Sequence, residues 1–100
     1  MISIDELYRV DGKVALVTGG YGGIGEAVCR GLASMGAKVA IAGHNGARAG
    51  ACAKALQADG ADAWAGSFEA TSVSATEQMV DEVVAHFGRL DILEIGRAHV

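Results

Sequence analysis

Thr18-Gly19-Gly20-Tyr21-Gly22-Gly23-Ile24-Gly25 lies between a short apolar run, Lys13-Val-Ala-Leu-Val-Thr18, and a segment of helical periodicity that opens at Ile24. The run before it is rich in Val and almost continuously apolar, which predicts a strand buried on both faces of a parallel sheet. After it, Ile24, Ala27, Val28, Gly31, Leu32 and Met35 fall at i, i+3, i+4, i+7, i+8 and i+11, marking one face of a helix that Gly36 closes. In that context the glycine-rich turn has a physical reading. An early glycine turns the chain sharply, a middle one lets backbone N–H groups approach a pyrophosphate, and the last permits close packing of helix on sheet. Unpaired N–H groups and the positive end of the helix dipole favour an anion there, each charge interaction contributing roughly 0.3–1 kcal/mol. The plainer reading, glycines for tightness alone, is weakened by the well-formed elements on both sides. A phosphoryl-transfer loop needs Lys and then Ser or Thr after its last glycine, and Glu26 and Ala27 stand there instead.

Outward from the turn the same alternation continues. Ala37–Ala42 is a second apolar strand, broken by Gly43-His44-Asn45-Gly46, and an Ala-rich helix follows from Ala47 to about Ala58 with Ala51, Ala55 and Leu56 on one side. Beyond the Asp59-Gly60 turn, Ala61–Gly66 is a weaker strand, supported chiefly by the alternating βα pattern. Val73, Thr76, Val80, Val83, Val84 and Phe87 repeat at helical spacing, opened by Ser74-x-x-Glu77 as a capping box and closed by Gly88. Arg89–Leu93 is a final strand. The order β-α-β-α-β-α-β implies an α/β fold, a parallel sheet with right-handed crossovers.

Composition narrows the function classes. One hundred residues make one domain or part of one, and 51% hydrophobic content is globular. A formal net charge of −4 gives no general attraction to nucleic acid or to anionic membranes. The apolar runs Val14–Val17 and Val39–Ala42 are far too short to span a bilayer, and Met1–Glu6 has no signal-peptide pattern, so a cytoplasmic protein is expected. Cys29 and Cys52 read as small packing residues, and His44, His86 and His99 show no metal spacing. His86, near the end of its helix, suits the dipole there better than it suits catalysis.

Thr18-Gly19-x-x-x-Gly23-Ile24-Gly25, followed by Gly36-Ala37-x-Val39 and by Phe87-Gly88-x-Leu90-Asp91-Ile92-Leu93, resembles the N-terminal part of the short-chain dehydrogenase/reductase family from about Asp11 to Leu93. The resemblance implies a partial Rossmann fold of strand order 3-2-1-4, with the ligand crevice where the order reverses. It implies an NAD(P)-dependent oxidoreductase that exchanges a hydride between nicotinamide and an alcohol or ketone, homo-oligomeric at full length. Gly19, Tyr21, Gly22, Gly23, Ile24 and Gly25 would then contact the nicotinamide dinucleotide. An acidic residue at the end of the second strand would bind the adenosine ribose, but Gly43 stands there. His44 and Asn45 fall where NADP-preferring members place an Arg and a polar residue, and Arg48 could reach a 2′-phosphate, so NADP is favoured over NAD. Glu69, with Ala70 beside it, takes the place of the usual Asp against the adenine; a slip of one residue would put Phe68 there.

The resemblance ends near Leu93, where the family continues into Asn-Asn-Ala-Gly. Glu94-Ile-Gly-Arg-Ala-His-Val100 matches the translation of GAG ATC GGA AGA GCA CAC GTC, a sequencing-library adapter, so adapter read-through is the expected source of the tail. The expected organisation is an extension over 1–11, a truncated NAD(P)-binding domain over 12–93 and a non-native tail over 94–100. The strand ending at Leu93 would then be an uncovered sheet edge, prone to aggregate. No catalytic or metal-binding residue is assigned: Tyr8 and Tyr21, the two tyrosines, lie in no Tyr-x-x-x-Lys arrangement, so the chain itself should be inactive. The alternative is a non-catalytic NAD(P)-sensing module. Binding of NADPH by the chain at micromolar concentration favours the module, and no binding there favours truncation. A methyltransferase is disfavoured because Val17-Thr18 precedes the turn where an acidic residue is expected.

Overall fold

Every residue of strand β1 (Val14–Thr18) is buried, which places it inside the sheet with neighbours on both sides. The computed structural model describes residues 11–19, 23–43, 45–67 and 73–95. In it β1 lies between β2 (Lys38–Gly43) and β4 (Ile92–Ile95), and β3 (Ala63–Ser67) lies outside β2. The order is β3-β2-β1-β4, with all three pairings parallel. Helices α1 (Gly23–Ser34), α2 (Gly46–Ala58) and α3 (Val73–Phe87) make the crossovers. The expected α/β class and strand order are therefore observed. All four strands differ from expectation at their ends: β1 starts at Val14 rather than Lys13, and β2 runs Lys38–Gly43 rather than Ala37–Ala42. β3 starts at Ala63 rather than Ala61, and β4 starts at Ile92 and continues through Glu94 to Ile95, with Glu94 in register with Val17.

The alternation of side chains along the strands divides the interior into two layers. Val17, Val39 and Ile41 point toward α1 and α2, where Cys29, Ala49, Ala53 and Leu56 complete the core. Val14, Leu16, Ala40 and Ala42 point the other way, against Met79 and Val83 of α3. The helix faces are rotated from those expected. On α1, Ala27 and Gly31 are exposed and Cys29 is the fully buried residue, because the helix packs on α2 as well as on the sheet. On α2, Ala49, Ala53 and Leu56 face inward while Ala51 and Ala55 face out. On α3, Met79 and Val83 carry the contact, whereas Val73 is 76% exposed. Met79 reaches the sheet because Gly66 has no side chain: a Cβ there would stand 2.7 Å from the Met79 methyl. Ser74 lies inside α3 rather than before it, so it is not the N-cap of a capping box.

The amino ends of the strands are tied by polar contacts. Asp91 accepts a hydrogen bond at Oδ2 from the Val14 N–H (2.9 Å), and its own N–H donates to the Val14 carbonyl (2.9 Å). Arg89 Nη2 donates to Asp91 Oδ1 at 2.7 Å. These contacts, the Arg89 hydrogen bond foremost and the Val14 N–H next, hold the Asp91 carboxyl below its ordinary pKa. Each is at the end of the sheet remote from the glycine turn.

Candidate nucleotide-binding site

β1 delivers the chain to the glycine turn at the other end of the sheet. Gly19 has φ 70°, a left-handed conformation that costs an L-residue about 1–2 kcal/mol. Its N–H donates to the Ala42 carbonyl at 2.6 Å and so ties the carboxyl ends of β1 and β2 together. The first glycine therefore shapes the turn with its φ and its N–H alike. Gly20, Tyr21 and Gly22 lie outside the described residues. The chain resumes at Gly23 as the first residue of α1, with Ile24 and Gly25 next, and the first-turn N–H groups of an α-helix have no intrahelical acceptor. α1 and α2 cover one face of the sheet and α3 the other, so the strand order reverses at β1, the point whose carboxyl end is the ligand crevice in open α/β sheets.

The second wall begins at the end of β2. Gly43 is buried and offers no side chain; His44 lies outside the described residues, as do Glu69 and Ala70. Asn45 is the N-cap of α2: its Oδ1 accepts from the Arg48 N–H at 3.1 Å. Its carbonyl thus serves the helix, and its amide group is the part with chemistry suited to an anion. Arg48, in the first turn of α2, is exposed and lines a groove of about 270 Å³ together with Glu26, Ala51, Cys52 and Ala55. Glu26 in turn accepts from Arg30 Nε (3.1 Å) and Nη2 (3.0 Å) at its Oε1. The structure thus brings Gly19, Gly23, Gly25, Asn45 and Arg48 to one end of the fold. It also adds Glu26, across the groove from Arg48 and held by Arg30 from further along α1, a pair that the turn motif does not single out. Their signal in the sequence is the i,i+4 acid-to-base spacing.

The remaining candidates stay structural. Burial pushes the Cys29 thiol up to about 12, with Cys52 and Glu26 adding to the effect, and burial raises Cys52 as well. Both cysteines pack in the α1–α2 layer. His86 stacks on Trp64 with ring centroids 5.2 Å apart and meets Phe87 edge-on at 4.6 Å. No cluster able to hold a metal ion occurs among the described residues. No helix among them is long and apolar enough to cross a membrane. A cavity of about 450 Å³ between Arg30, Ser34, Leu56 and Asp59 lies at the opposite end of α1 from the turn. Its polar groups pair among themselves and with nearby backbone: Arg30 with Asp59 at 3.3 Å, and Ser34 Oγ with the Gly31 carbonyl at 2.8 Å.

Residues 13–98 match the family model described as short chain dehydrogenase. The chain is 48% identical over 94 residues to hydroxynaphthalene reductase arp2 of Aspergillus fumigatus, a match that covers 93% of this chain and 34% of that protein. Among solved structures, a hydroxysteroid dehydrogenase from Escherichia coli superposes with a TM-score of 0.85 at 32% identity, over 91% of this chain and 37% of the other. An actinorhodin polyketide ketoreductase solved with NADPH gives 0.82 at 30% identity, over 87% and 33%. This chain belongs to the short-chain dehydrogenase family, whose members are NAD(P)-dependent oxidoreductases. It corresponds to the N-terminal, cofactor-binding part of that fold and spans about a third of the length of the relatives it matches.

Proposed function

We propose that the chain supplies the adenosine-pyrophosphate half of the cofactor site in an oxidoreductase that moves a hydride between NADP and an alcohol or ketone. One observation carries this reading: Gly19 stands at the carboxyl end of β1, where the strand order reverses, and Gly23 begins α1. The pyrophosphate lies on the turn and the first N–H groups of α1, with Gly19 shaping the backbone and Tyr21, Gly22, Gly23, Ile24 and Gly25 around the anion. NADP is preferred because β2 ends in Gly43, with no carboxylate to bind a free 2′-hydroxyl or repel a 2′-phosphate. His44, the Asn45 amide and Arg48 meet the 2′-phosphate, and Glu69 and Ala70 border the adenine. Hydride transfer needs a proton donor at the substrate oxygen and a group to hold the nicotinamide ribose, and this chain assigns no residue to either role.

On the same reading residues 1–11 are an extension, 12–93 the cofactor-binding unit and 94–100 a translated adapter sequence. The whole protein is a cytoplasmic homo-oligomer. Titrating the chain with NADPH and NADH at millimolar concentration tests the cofactor reading. Tighter binding of NADPH is expected, and equal or reversed affinities contradict the preference. For 94–100, nucleotides other than GAG ATC GGA AGA GCA CAC GTC would dismiss the adapter reading.

A further inference from the structure

The groove that holds Arg48 also holds a carboxylate. Glu26 lines one wall from the first turn of α1, and Arg48 and Cys52 line the other from α2. A 2′-phosphate that comes to Arg48 therefore comes toward the negative charge of Glu26, and the two anions repel across the groove. The repulsion is tempered on the far side of Glu26. Arg30, one turn along α1, donates twice to Glu26 Oε1, from Nε at 3.1 Å and Nη2 at 3.0 Å, while its Nη1 is held by Asp59 at 3.3 Å. Asp59 thus fixes the guanidinium from the end of α2 and helps aim it at Glu26.

Resting on the cofactor reading above, we infer that Glu26 is a specificity-determining residue for the 2′-phosphate and that Arg30 is its positioning residue. With Arg30 in place, the Glu26 carboxylate is drawn along α1 and the phosphate keeps its claim on Arg48. Without Arg30, Glu26 turns into the groove and weakens the preference for a 2′-phosphorylated nucleotide. The effect on the unphosphorylated nucleotide is small, because that ligand brings no anion to Arg48.

The test compares adenosine 2′,5′-bisphosphate with 5′-AMP, a pair that differs by the 2′-phosphate alone and needs no nicotinamide pocket. The quantity read is the ratio of their dissociation constants from NMR shift titrations of this chain, extended to millimolar ligand. Arg48→Ala lowers the preference for the bisphosphate. Glu26→Gln raises it about three- to eightfold, the range expected when one charge several ångströms from a phosphate dianion is removed in a watery groove. Arg30→Met lowers it, Arg30→Lys retains most of it, and Arg30→Met in the Glu26→Gln background leaves it at the Glu26→Gln value. A loss from Arg48→Ala with no gain from Glu26→Gln overturns the inference and leaves the cofactor reading standing. No change from Arg48→Ala, or no binding of either nucleotide, overturns the reading itself and the inference with it. An equal loss from Arg30→Met in both backgrounds shows that Arg30 acts through its own charge and overturns its positioning role. Amide spectra that retain native dispersion in each variant establish that the ratios report on folded protein.

Discussion

The two ends of the sheet are built from different chemistry. At the amino ends of the strands, side chains make the joints: Asp91 bridges to the Val14 backbone, Arg89 holds Asp91, and Arg30 reaches Asp59. Around the glycine turn at the carboxyl ends the joint is backbone to backbone, from the Gly19 N–H to the Ala42 carbonyl, and the residues beside it are Gly23, Gly25 and Gly43. One end uses its polar side chains on itself. The other withholds side chains, which keeps helix N–H groups and space for a ligand. The contrast separates what stabilises this fold from what equips it to bind.

The largest effect is expected where both ends share a support. Leu16, 1% exposed at the centre of β1, packs in the α3 layer, and Leu16→Ala should lower unfolding free energy by about 2–5 kcal/mol. Urea denaturation checks it, with loss of nucleotide binding following from unfolding alone. Next comes a paired test at two left-handed glycines, Gly19 (φ 70°) and Gly60 (φ 90°). Each change to Ala should cost about 1–2 kcal/mol. Nucleotide affinity should fall for Gly19→Ala and hold for Gly60→Ala; equal losses would erase the distinction between the ends. Asn45→Ala removes the cap of α2 and should destabilise by about 0.5–2 kcal/mol, with weaker 2′-phosphate binding as α2 frays.

The smallest effect concerns pH at the amino end. The Asp91 carboxyl has its pKa lowered in the folded chain, so its contribution is present above the ordinary carboxylate range and is lost as pH falls through the folded value. The urea midpoint should therefore drop on acidification, and Asp91→Asn should flatten that dependence. A variant as pH-sensitive as the parent would remove Asp91 from the account of that end.

Much of the fold was legible because its signals are local. Val14–Thr18 could only be a strand buried on both faces, and glycines at 36 and 88 ended helices with φ 96° and 88°. The helix faces were harder. Alanine packs or faces solvent with little cost either way, so Ala51 and Ala55 read as inward while Ala49 and Ala53 are the buried residues. Met79 was passed over because its inward position depends on the missing Cβ of Gly66, which lies on another element. At the site, the turn motif identified Gly19 through a left-handed φ that glycine adopts without strain. The Glu26–Arg30 pair was not legible as part of the site, since an i,i+4 pair marks an ordinary solvated helix face until α2 is seen across the groove.

The central claim is that ligand chemistry is confined to the carboxyl end of the sheet. Amide chemical-shift mapping of the chain with millimolar NADPH tests it most directly. Perturbations are expected to concentrate in residues 19–26 and 43–48, with residues 59–61 and 89–91 unmoved. Shifts centred on the cavity between Arg30, Ser34 and Asp59, or no shifts in the glycine turn at that concentration, would contradict it.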